Sequence, residues 1–370
     1  MTLKSTVKQT ITINGRFLTQ PVTGVQRYAL ELFRALDRLL VNGAIDPQGI
    51  DLVCLVPPDC DKDPGWEKIE VHSVGRLTGN LWEQLDLPRF AQGTLLFAPA
   101  NISSFFHPNQ VVTIHDASVY AFPQAYSLPF RTKYRLSYLK AARSARMIIT
   151  VSEFSKQELV RWCKAKPDRI EVIPHGSEQL MGVVPDASIL QRAGFENEKY
   201  FLGVGSQSPH KNFHGLIEAF RRLDRGDIRL VLVGGKFDRV FQSSNNELPE
   251  NTVHLGYVKD AELKALYQNA VGFVFPSFYE GFGLPVLEAM TAGCPVICSK
   301  TASLPEVGED AVLYADPHDP DTITQKMIAL LSSESLREIL RNAGCAQAKK
   351  FSWETTARST WNLLVKQCVS

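Results

Sequence analysis

The chain's 370 residues, 44% hydrophobic and 21% charged, exceed one ordinary domain and fit two soluble globular domains of roughly 170 to 190 residues each. Lys and Arg number 40 against 39 Asp and Glu, so the charge balance gives no argument for nucleic acid. No stretch approaches the ~20 consecutive apolar residues of a membrane span. Residues 1–10 contain no apolar signal core, so a cleavable secretion signal is not expected. The charge divides unevenly: residues 1–174 carry 21 Lys and Arg against 16 Asp and Glu, the remainder 19 against 23. Seven cysteines, at 54, 60, 163, 294, 298, 345 and 368, are odd in number and include no CxxC pair. A reduced, cytoplasmic setting without a disulfide framework is expected.

In chain order, residues 9–14 read as a short β-branched strand, followed by Gly15, Arg16 and a loop with Pro21 and Gly24. Val25, Tyr28, Ala29, Leu32, Phe33 and Leu36 then recur at helical spacing, so a helix starts near Gly24. A helix start after a strand end offers free N–H groups to an anion; the alternative is a plain cap. Residues 50–56 and 95–98 are the next strands. Asp59-Cys60-Asp61 and Asp319-Pro320-Asp321 have the D-x-D spacing of metal-dependent transferases, but both lie among prolines and other charges, as solvated turns do. Nothing nearby supplies the convergent oxygens of a divalent metal, and metal dependence is not expected. Residues 111–114 form a strand ending in His115-Asp116, a polar pair at the ligand-facing end of a parallel sheet. The alternatives are a His115 ring satisfied by a neighbouring backbone group and an Asp116 that caps.

Between residues 117 and 152 there is no Asp or Glu, while Arg131, Lys133, Arg135, Lys140, Arg143 and Arg146 stand among Leu128, Phe130, Tyr134, Leu136, Tyr138 and Leu139. Such a segment, residues 128–146, suits peripheral contact with an anionic membrane or with a polyprenyl diphosphate; otherwise it is a helix pair with one solvated basic face. No binding motif argues for nucleic acid. Residues 147–151 are a strand, Ser152 caps a helix over 153–164, and residues 170–173 close a first domain of residues 1–175. Residues 176–198, weakly periodic, read as the linker.

The second domain, 199–351, opens with a strand over 200–204. Gly203-x-Gly205 lacks the third glycine and the acidic residue of a dinucleotide fingerprint. Lys211 stands just before a helix over 213–223, where its ammonium and free N–H groups suit a diphosphate. Residues 229–233 end in Gly234-Gly235, a turn against which a nucleobase could stack. Asp260 is expected to cap a helix over 261–270. Residues 271–276 then form a buried strand, Pro285 suits a first helical turn, Gly293 suits a helix end, and 295–299 is the next strand: a βαβ crossover. Its loop holds Glu280, Gly281 and Gly283, and its helix carries Glu288. A phosphate-binding centre between two hydroxyl-accepting carboxylates describes a nucleotide sugar; the alternative is an ordinary crossover with solvated glutamates. Helices follow over 322–331 and 335–351. A last one over 352–370 carries Trp353 and Trp361, which suggest packing back across the first domain.

Glu280 and Glu288 resemble the E-x7-E signature of family 4 retaining glycosyltransferases, inside a longer match over 271–306 that keeps the family's order of elements. The resemblance covers nearly all of the chain. It implies an α/β GT-B fold, two Rossmann-like domains facing across a cleft, and a retaining, metal-independent hexosyl transfer without a cofactor. Carried onto this chain, the family's motifs make Lys211, Glu280 and His115 the catalytic candidates. Gly24, Ser206, Val258, Gly281, Phe282, Gly283, Leu284 and Glu288 become the donor-binding ones, with Val258 meeting the base through its backbone. Residues 24–28 hold one glycine where many members have two. Ser206 stands where the family presents an arginine, five positions before the lysine. Either Arg16, Arg27 or His210 replaces that charge, or the diphosphate is held less tightly. Pro305-Glu306 resembles the family's downstream proline–glutamate, with Glu306 a ribose contact or a turn residue.

Retention is implied by the resemblance alone. The sequence names no convincing carboxylate for a covalent route, so front-face attack is expected, with the departing phosphate oxygen taking the acceptor's proton. The chain is similar to bacterial mannosyltransferases of exopolysaccharide and O-antigen assembly. That implies GDP-mannose as the donor and a saccharide or polyprenyl-diphosphate-linked saccharide as the acceptor, on the inner face of the cell membrane. A nucleotide-sugar 2-epimerase and a silent sugar-nucleotide-binding subunit are the other readings.

Overall fold

Short apolar runs become inner strands, and each amphipathic run between them becomes a covering helix. The computed structural model describes residues 9–102, 104–235 and 248–369. The chain folds as two units, residues 1–176 with 353–370, and residues 177–352.

Among the described residues the first unit holds seven parallel strands: β1 Gln9–Asn14, β2 Ile50–Val56, β3 Ile69–Ser73, β4 Leu95–Ala98, β5 Gln110–Thr113, β6 Met147–Thr150 and β7 Ile170–Val172. They lie in the order β3-β2-β1-β4-β5-β6-β7. The chain therefore winds outward from β1 to β3, returns, and continues from β4 on the other side of β1. That reversal leaves a crevice beyond the carboxyl ends of β1 and β4, the switch point of a doubly wound sheet. Helix Gly24–Val41 buries Tyr28, Leu32, Phe33, Leu36 and Leu39 in one core with Trp353, Ala357, Trp361 and Leu364 of the last helix, Trp353–Val369. The last helix thus belongs to the first unit.

Two elements here were not expected. Strand β3 lies at the sheet edge with only Ile69 buried and Val71 partly so, and its apolar signal is just these two alternate residues. Residues 79–90 run as helix Gly79–Leu81, a π-helical turn Trp82–Asp86 and helix Leu87–Phe90. Pro88 reads as a breaker. The wider turn before it, closed by the Leu87 N–H on the Trp82 carbonyl, leaves the proline a first-turn position where its missing N–H costs nothing. Trp82 and Leu87 anchor the segment against Leu55 and Leu96.

The second unit repeats the winding with β8 Lys199–Val204, β9 Ile228–Val233, β10 Thr252–Gly256, β11 Gly272–Phe275, β12 Val296–Ser299 and β13 Leu313–Ala315. All are parallel, in the order β10-β9-β8-β11-β12-β13. Its switch point lies between β8 and β11. Helices Phe213–Leu223 and Pro320–Ser332 cover one face, with Leu216, Ile217 and Phe220 buried among Ile323, Met327 and Leu330.

Of residues 176–198, read from sequence as a linker, all but Gly176 are folded onto this unit. Leu180, Ile189, Leu190 and Phe195 are buried, the Asp186 N–H donates to the Ala261 carbonyl at 2.9 Å, and Lys264 Nζ donates to the Met181 and Val183 carbonyls. Short turns with irregularly spaced anchors leave no periodic trace. Among the described residues no helix is long and apolar enough to cross a membrane.

Candidate active site

Two loops meet beyond the carboxyl ends of β8 and β11. The chain leaves β8 through Gly205, forms a single 3₁₀ turn over Pro209–Lys211, and enters helix Phe213–Leu223 through Asn212. Asn212 has φ +55°, a left-handed conformation that asparagine tolerates better than most residues. Its buried side chain does three things. Oδ1 accepts the Gly215 N–H at 3.1 Å and caps the helix, while Nδ2 donates to the carbonyls of Pro276 at 3.0 Å and Pro317 at 2.7 Å. The Phe278 N–H adds a bond to the His210 carbonyl at 2.8 Å. The lysine loop is thereby pinned to the loop that follows β11.

The result is an ion pair. Lys211 Nζ lies 2.8 Å from both carboxylate oxygens of Glu280 and 5.4 Å from the Phe275 ring centroid. The side chains are 19% and 9% exposed, so removing one leaves the other charge poorly solvated. Ser303 Oγ donates to the Glu280 carbonyl at 2.9 Å and fixes the loop. Gly283, with φ +105°, turns that loop into helix Leu284–Thr291; a Cβ there would lie 2.6 Å from Leu304 Cδ2, so only glycine fits. Residues 281–284 are buried, and Phe282 packs edge-on against Phe351 at 5.7 Å. Glu288, on the same helix and buried, accepts a hydrogen bond from Gln179 Nε2 at 2.9 Å.

Ser206 is exposed, its hydroxyl 3.3 Å from that of Ser208. Val258, half-buried, follows Tyr257, which is 85% exposed. The loops after β8, β9 and β10 are pressed together: the Gly234 N–H donates to the Gly256 carbonyl at 2.8 Å, and a Cβ at Gly234 would fall 1.9 Å from the Gly205 carbonyl oxygen. Glu306 is exposed in the short helix Leu304–Gly308. Lys259, not Asp260, caps helix Asp260–Asn269, because Glu262 reaches back to the Lys259 N–H at 2.8 Å.

In the first unit His115 sits just beyond β5. Its N–H donates to Asn101 Oδ1 at 2.9 Å, its carbonyl accepts from Ser155 Oγ at 3.1 Å, and its ring Nε2 lies 3.2 Å from the Pro99 carbonyl. A carbonyl only accepts, so Nε2 carries the proton and Nδ1 is the acceptor face. The ring is buried edge-on to Tyr28 at 4.6 Å and 5.6 Å from the His175 ring, which stacks on Trp353. That burial pushes the imidazole down to about 4, leaving it neutral at pH 7. The Pro99 bond is the backbone partner left open as an alternative.

A cavity of about 470 Å³ occupies the β1/β4 switch point; Asp116 lines it and His115 does not. Asp116 Oδ1 accepts from the Ser118 N–H at 2.8 Å and its hydroxyl at 2.6 Å. Gly24 opens helix Gly24–Val41 with no atom within 4 Å of where a Cβ would be, so packing does not demand glycine there.

Glu83, on the unexpected π-turn, is a wall residue that sequence reasoning missed. Asn14 Nδ2 and Arg16 Nη1 donate to its two carboxylate oxygens at 2.8 and 2.9 Å. Burial raises the carboxyl, opposed by Arg16 and Asn14. The one signal was a charge set among Leu81, Trp82, Leu85 and Leu87. Of the proposed replacements for the missing arginine, Arg16 is committed to Glu83 and His210 is buried.

The basic segment forms helix Leu128–Ser144. Arg135 Nε donates to the Val119 carbonyl at 3.0 Å and its guanidinium lies over the Tyr120 ring; Lys133 bonds Asn80; Arg146 donates to the Gln367 carbonyl at 2.8 Å. Much of its charge is thus used inside the unit. Leu128 and Leu136 stay exposed. Of the D-x-D pairs, Asp319 caps helix Pro320–Ser332 through the Asp321 N–H, and Asp321 pairs with Arg222 at 2.7 Å. Among the described residues no group of three or more His, Cys, Asp and Glu side chains is placed to hold a metal.

Two doubly wound parallel-sheet units in one chain are the architecture of the GT-B class of glycosyltransferases. Residues 22–178 match the family model described as Glycosyltransferase Family 4, and residues 187–347 match Glycosyl transferases group 1. The chain is 35% identical to O-antigen chain mannosyltransferase B of Escherichia coli over an alignment of 385 residues, covering 92% of this chain and 96% of that one. Among solved structures it is similar to sucrose-phosphate synthase from Thermosynechococcus elongatus, with a TM-score of 0.73, 20% identity and coverage of 97% and 98%. It is also similar to Anabaena HepE, solved with UDP-glucose, with a TM-score of 0.72, 19% identity and coverage of 97% and 99%. The chain belongs to glycosyltransferase family 4 and is a glycosyltransferase.

Proposed function

We propose that this glycosyltransferase is a retaining, metal-independent mannosyltransferase. It moves mannose from GDP-mannose to a saccharide or lipid-linked saccharide during assembly of a bacterial surface polysaccharide. The observation that carries the reading is the Lys211–Glu280 pair. A lysine ammonium has three N–H donors. Two face Glu280, and the third is left for a phosphate oxygen. Cleavage of the anomeric C–O bond builds oxocarbenium character on the sugar and negative charge on the diphosphate. Lys211 and the N–H groups opening helix Leu284–Thr291 stabilise that charge as it forms.

Glu280 accepts from sugar hydroxyls, Glu288 from the ribose, and the Val258 backbone meets the base. His115, held by Pro99 with Nδ1 as its acceptor face, orients a further sugar hydroxyl. With Ser206 in place of a cation, Lys211 is the principal positive charge on the leaving group. The acceptor hydroxyl attacks from the front face, and its proton passes to the departing phosphate oxygen. The name of the Escherichia coli relative supports mannose, while UDP-glucose in the Anabaena structure supports a nucleotide sugar in general.

The test is a panel of GDP, GDP-mannose, UDP and UDP-glucose, read by thermal stabilisation and by turnover after EDTA treatment. Stabilisation by UDP but not GDP overturns the donor, and turnover lost with EDTA and restored by Mg²⁺ overturns metal independence. An inverted anomeric coupling in the product's NMR spectrum overturns retention. An epimer released without acceptor indicates the 2-epimerase. Peripheral contact through residues 128–146 is proposed from exposed Leu128 and Leu136. It predicts cosedimentation with phosphatidylglycerol vesicles that weakens in Leu128→Ser/Leu136→Ser.

A further inference from the structure

Glu288 carries its charge in apolar surroundings. It sits on helix Leu284–Thr291 among Val286, Leu287, Ala289 and Met290, all fully buried, and is itself 6% exposed. A carboxylate so placed needs hydrogen-bond donors. One comes from far along the chain: Gln179 Nε2 donates to Glu288 Oε1 at 2.9 Å across 109 residues.

Gln179 belongs to the 3₁₀ turn Glu178–Leu180, in the segment whose sequence has no periodic signal. Three ties hold that turn to the second unit. Leu180 is buried, Ser177 Oγ donates to the Phe351 carbonyl at 3.4 Å, and Lys264 Nζ donates to the Met181 and Val183 carbonyls at 3.0 and 2.9 Å. The amide is therefore presented from a fixed backbone. In that arrangement a neighbour sets the rotamer of a functional side chain before any ligand arrives.

The chemistry of the contact narrows its purpose. An amide N–H takes up one lone pair, whereas an ionised carboxylate has about four, so acceptor capacity remains for a ligand. The amide is also neutral. A lysine or arginine in its place would hold the carboxylate equally well but offset its charge, and the charge is what makes the carboxylate a strong acceptor. Gln179 thus sets the orientation and keeps the charge. That suits a carboxylate receiving a neutral diol, and it does not suit phosphate, which brings negative charge.

We propose that Gln179 is a positioning residue of the donor site, holding the Glu288 carboxylate in the rotamer that accepts the ribose hydroxyls of the nucleotide sugar. The ribose rests on the reading of Glu288 given above; the hydrogen bond and the fixed turn do not. Because Gln179 acts through Glu288, its loss should raise donor KM and leave kcat nearly unchanged.

The full chain is titrated calorimetrically with GDP, UDP and the 2′,3′-dideoxy form of each, and the tighter-binding pair is carried into the variants. The wild type should lose about tenfold in affinity when both hydroxyls are removed. Gln179→Met keeps the length and removes the N–H donor. It should weaken the intact nucleotide about tenfold and leave the dideoxy form within about twofold, so that discrimination disappears. A merely structural role would weaken both forms alike. Gln179→Glu sets two carboxyl groups together, which raises the pKa at which they share a proton. This variant should not discriminate at about pH 8; at about pH 5.5 the protonated carboxyl donates to Glu288 and discrimination returns. The ratio between the two forms cancels the titration of their phosphates. Equal weakening of both forms in Gln179→Met, an unchanged ratio, or a Gln179→Glu ratio that does not move with pH overturns the proposal alone. If Gln179→Met fails to fold, Gln179→Glu at the two pH values decides. A wild type that ignores the hydroxyls, or binds neither nucleotide, overturns the donor-site reading and the proposal with it.

Discussion

Asn212 offers the sharpest test of how the lysine site is built. Asn212→Ala removes three hydrogen bonds, one to the Gly215 N–H and two to the Pro276 and Pro317 carbonyls. At about 1 kcal/mol each, the loss is about 3 kcal/mol. Alanine at φ +55° adds roughly 1 kcal/mol of strain, for a total near 4 kcal/mol. Asn212→Gly relieves the strain but not the lost bonds, and should fall about 1 kcal/mol short of the alanine variant. Asn212→Asp keeps the helix cap yet turns a carboxylate on two carbonyls, so it should cost at least as much as alanine.

The fold supplies the assay. All five tryptophans, at 66, 82, 162, 353 and 361, lie in the first unit. In urea denaturation tryptophan fluorescence therefore reports that unit alone, while far-UV circular dichroism reports both; two units also warn against a single two-state fit. The Asn212 variants should shift the dichroism transition and leave the fluorescence transition in place. A shift below ~0.5 kcal/mol in Asn212→Ala, or an equal shift of both signals, would refute the account.

The remaining predictions concern the site residues. Lys211→Ala should lower kcat by about 10²–10³ with donor KM changed far less; a raised KM at unchanged kcat would argue against leaving-group stabilisation. Because Lys211 and Glu280 touch at 2.8 Å, the double variant Lys211→Ala/Glu280→Ala should cost less than the two single losses added, and strict additivity would deny the coupling. Gly283→Ala, forced to φ +105° and against Leu304, should destabilise the second unit by about 2 kcal/mol or more in the same dichroism assay. His115 should stay neutral down to about pH 4. Between about pH 6.5 and pH 4 the unfolded chain binds a proton at this position that the folded one refuses, so His115 alone lowers stability as pH falls, by at most ~1.4 kcal/mol per unit, beside contributions of the same sign from buried His175 and His107. His115→Gln should lessen that slope, leaving the part due to His175 and His107, and a His115 imidazole titrating near 6.5 by NMR would contradict the burial.

What the sequence determined by itself is local. Strand β1, helix Phe213–Leu223 and the glycine-bearing βαβ crossover could be read from period, cap and turn residues, because each rests on interactions between residues a few positions apart. Glu280, Glu288 and Lys211 were legible as loop and helix-end residues for the same reason. Residues 177–198 and 79–90 were not. Their anchors, Phe195 and Trp82 among them, are spaced by tertiary contact rather than by a helical or strand period.

Only the tertiary structure decided which charges meet. Lys211 reaches Glu280 across 69 residues and Arg16 reaches Glu83 across 67. Both partnerships depend on a chain that leaves its central strand in one direction and returns on the other side. Strand order decides that reversal, and strand order is fixed by pairing between distant segments. The same long-range closure buried His115 against Tyr28 and set Asp116 in the wall of the cavity. Periodicity along a chain records which face of an element is apolar, but not which other element covers it.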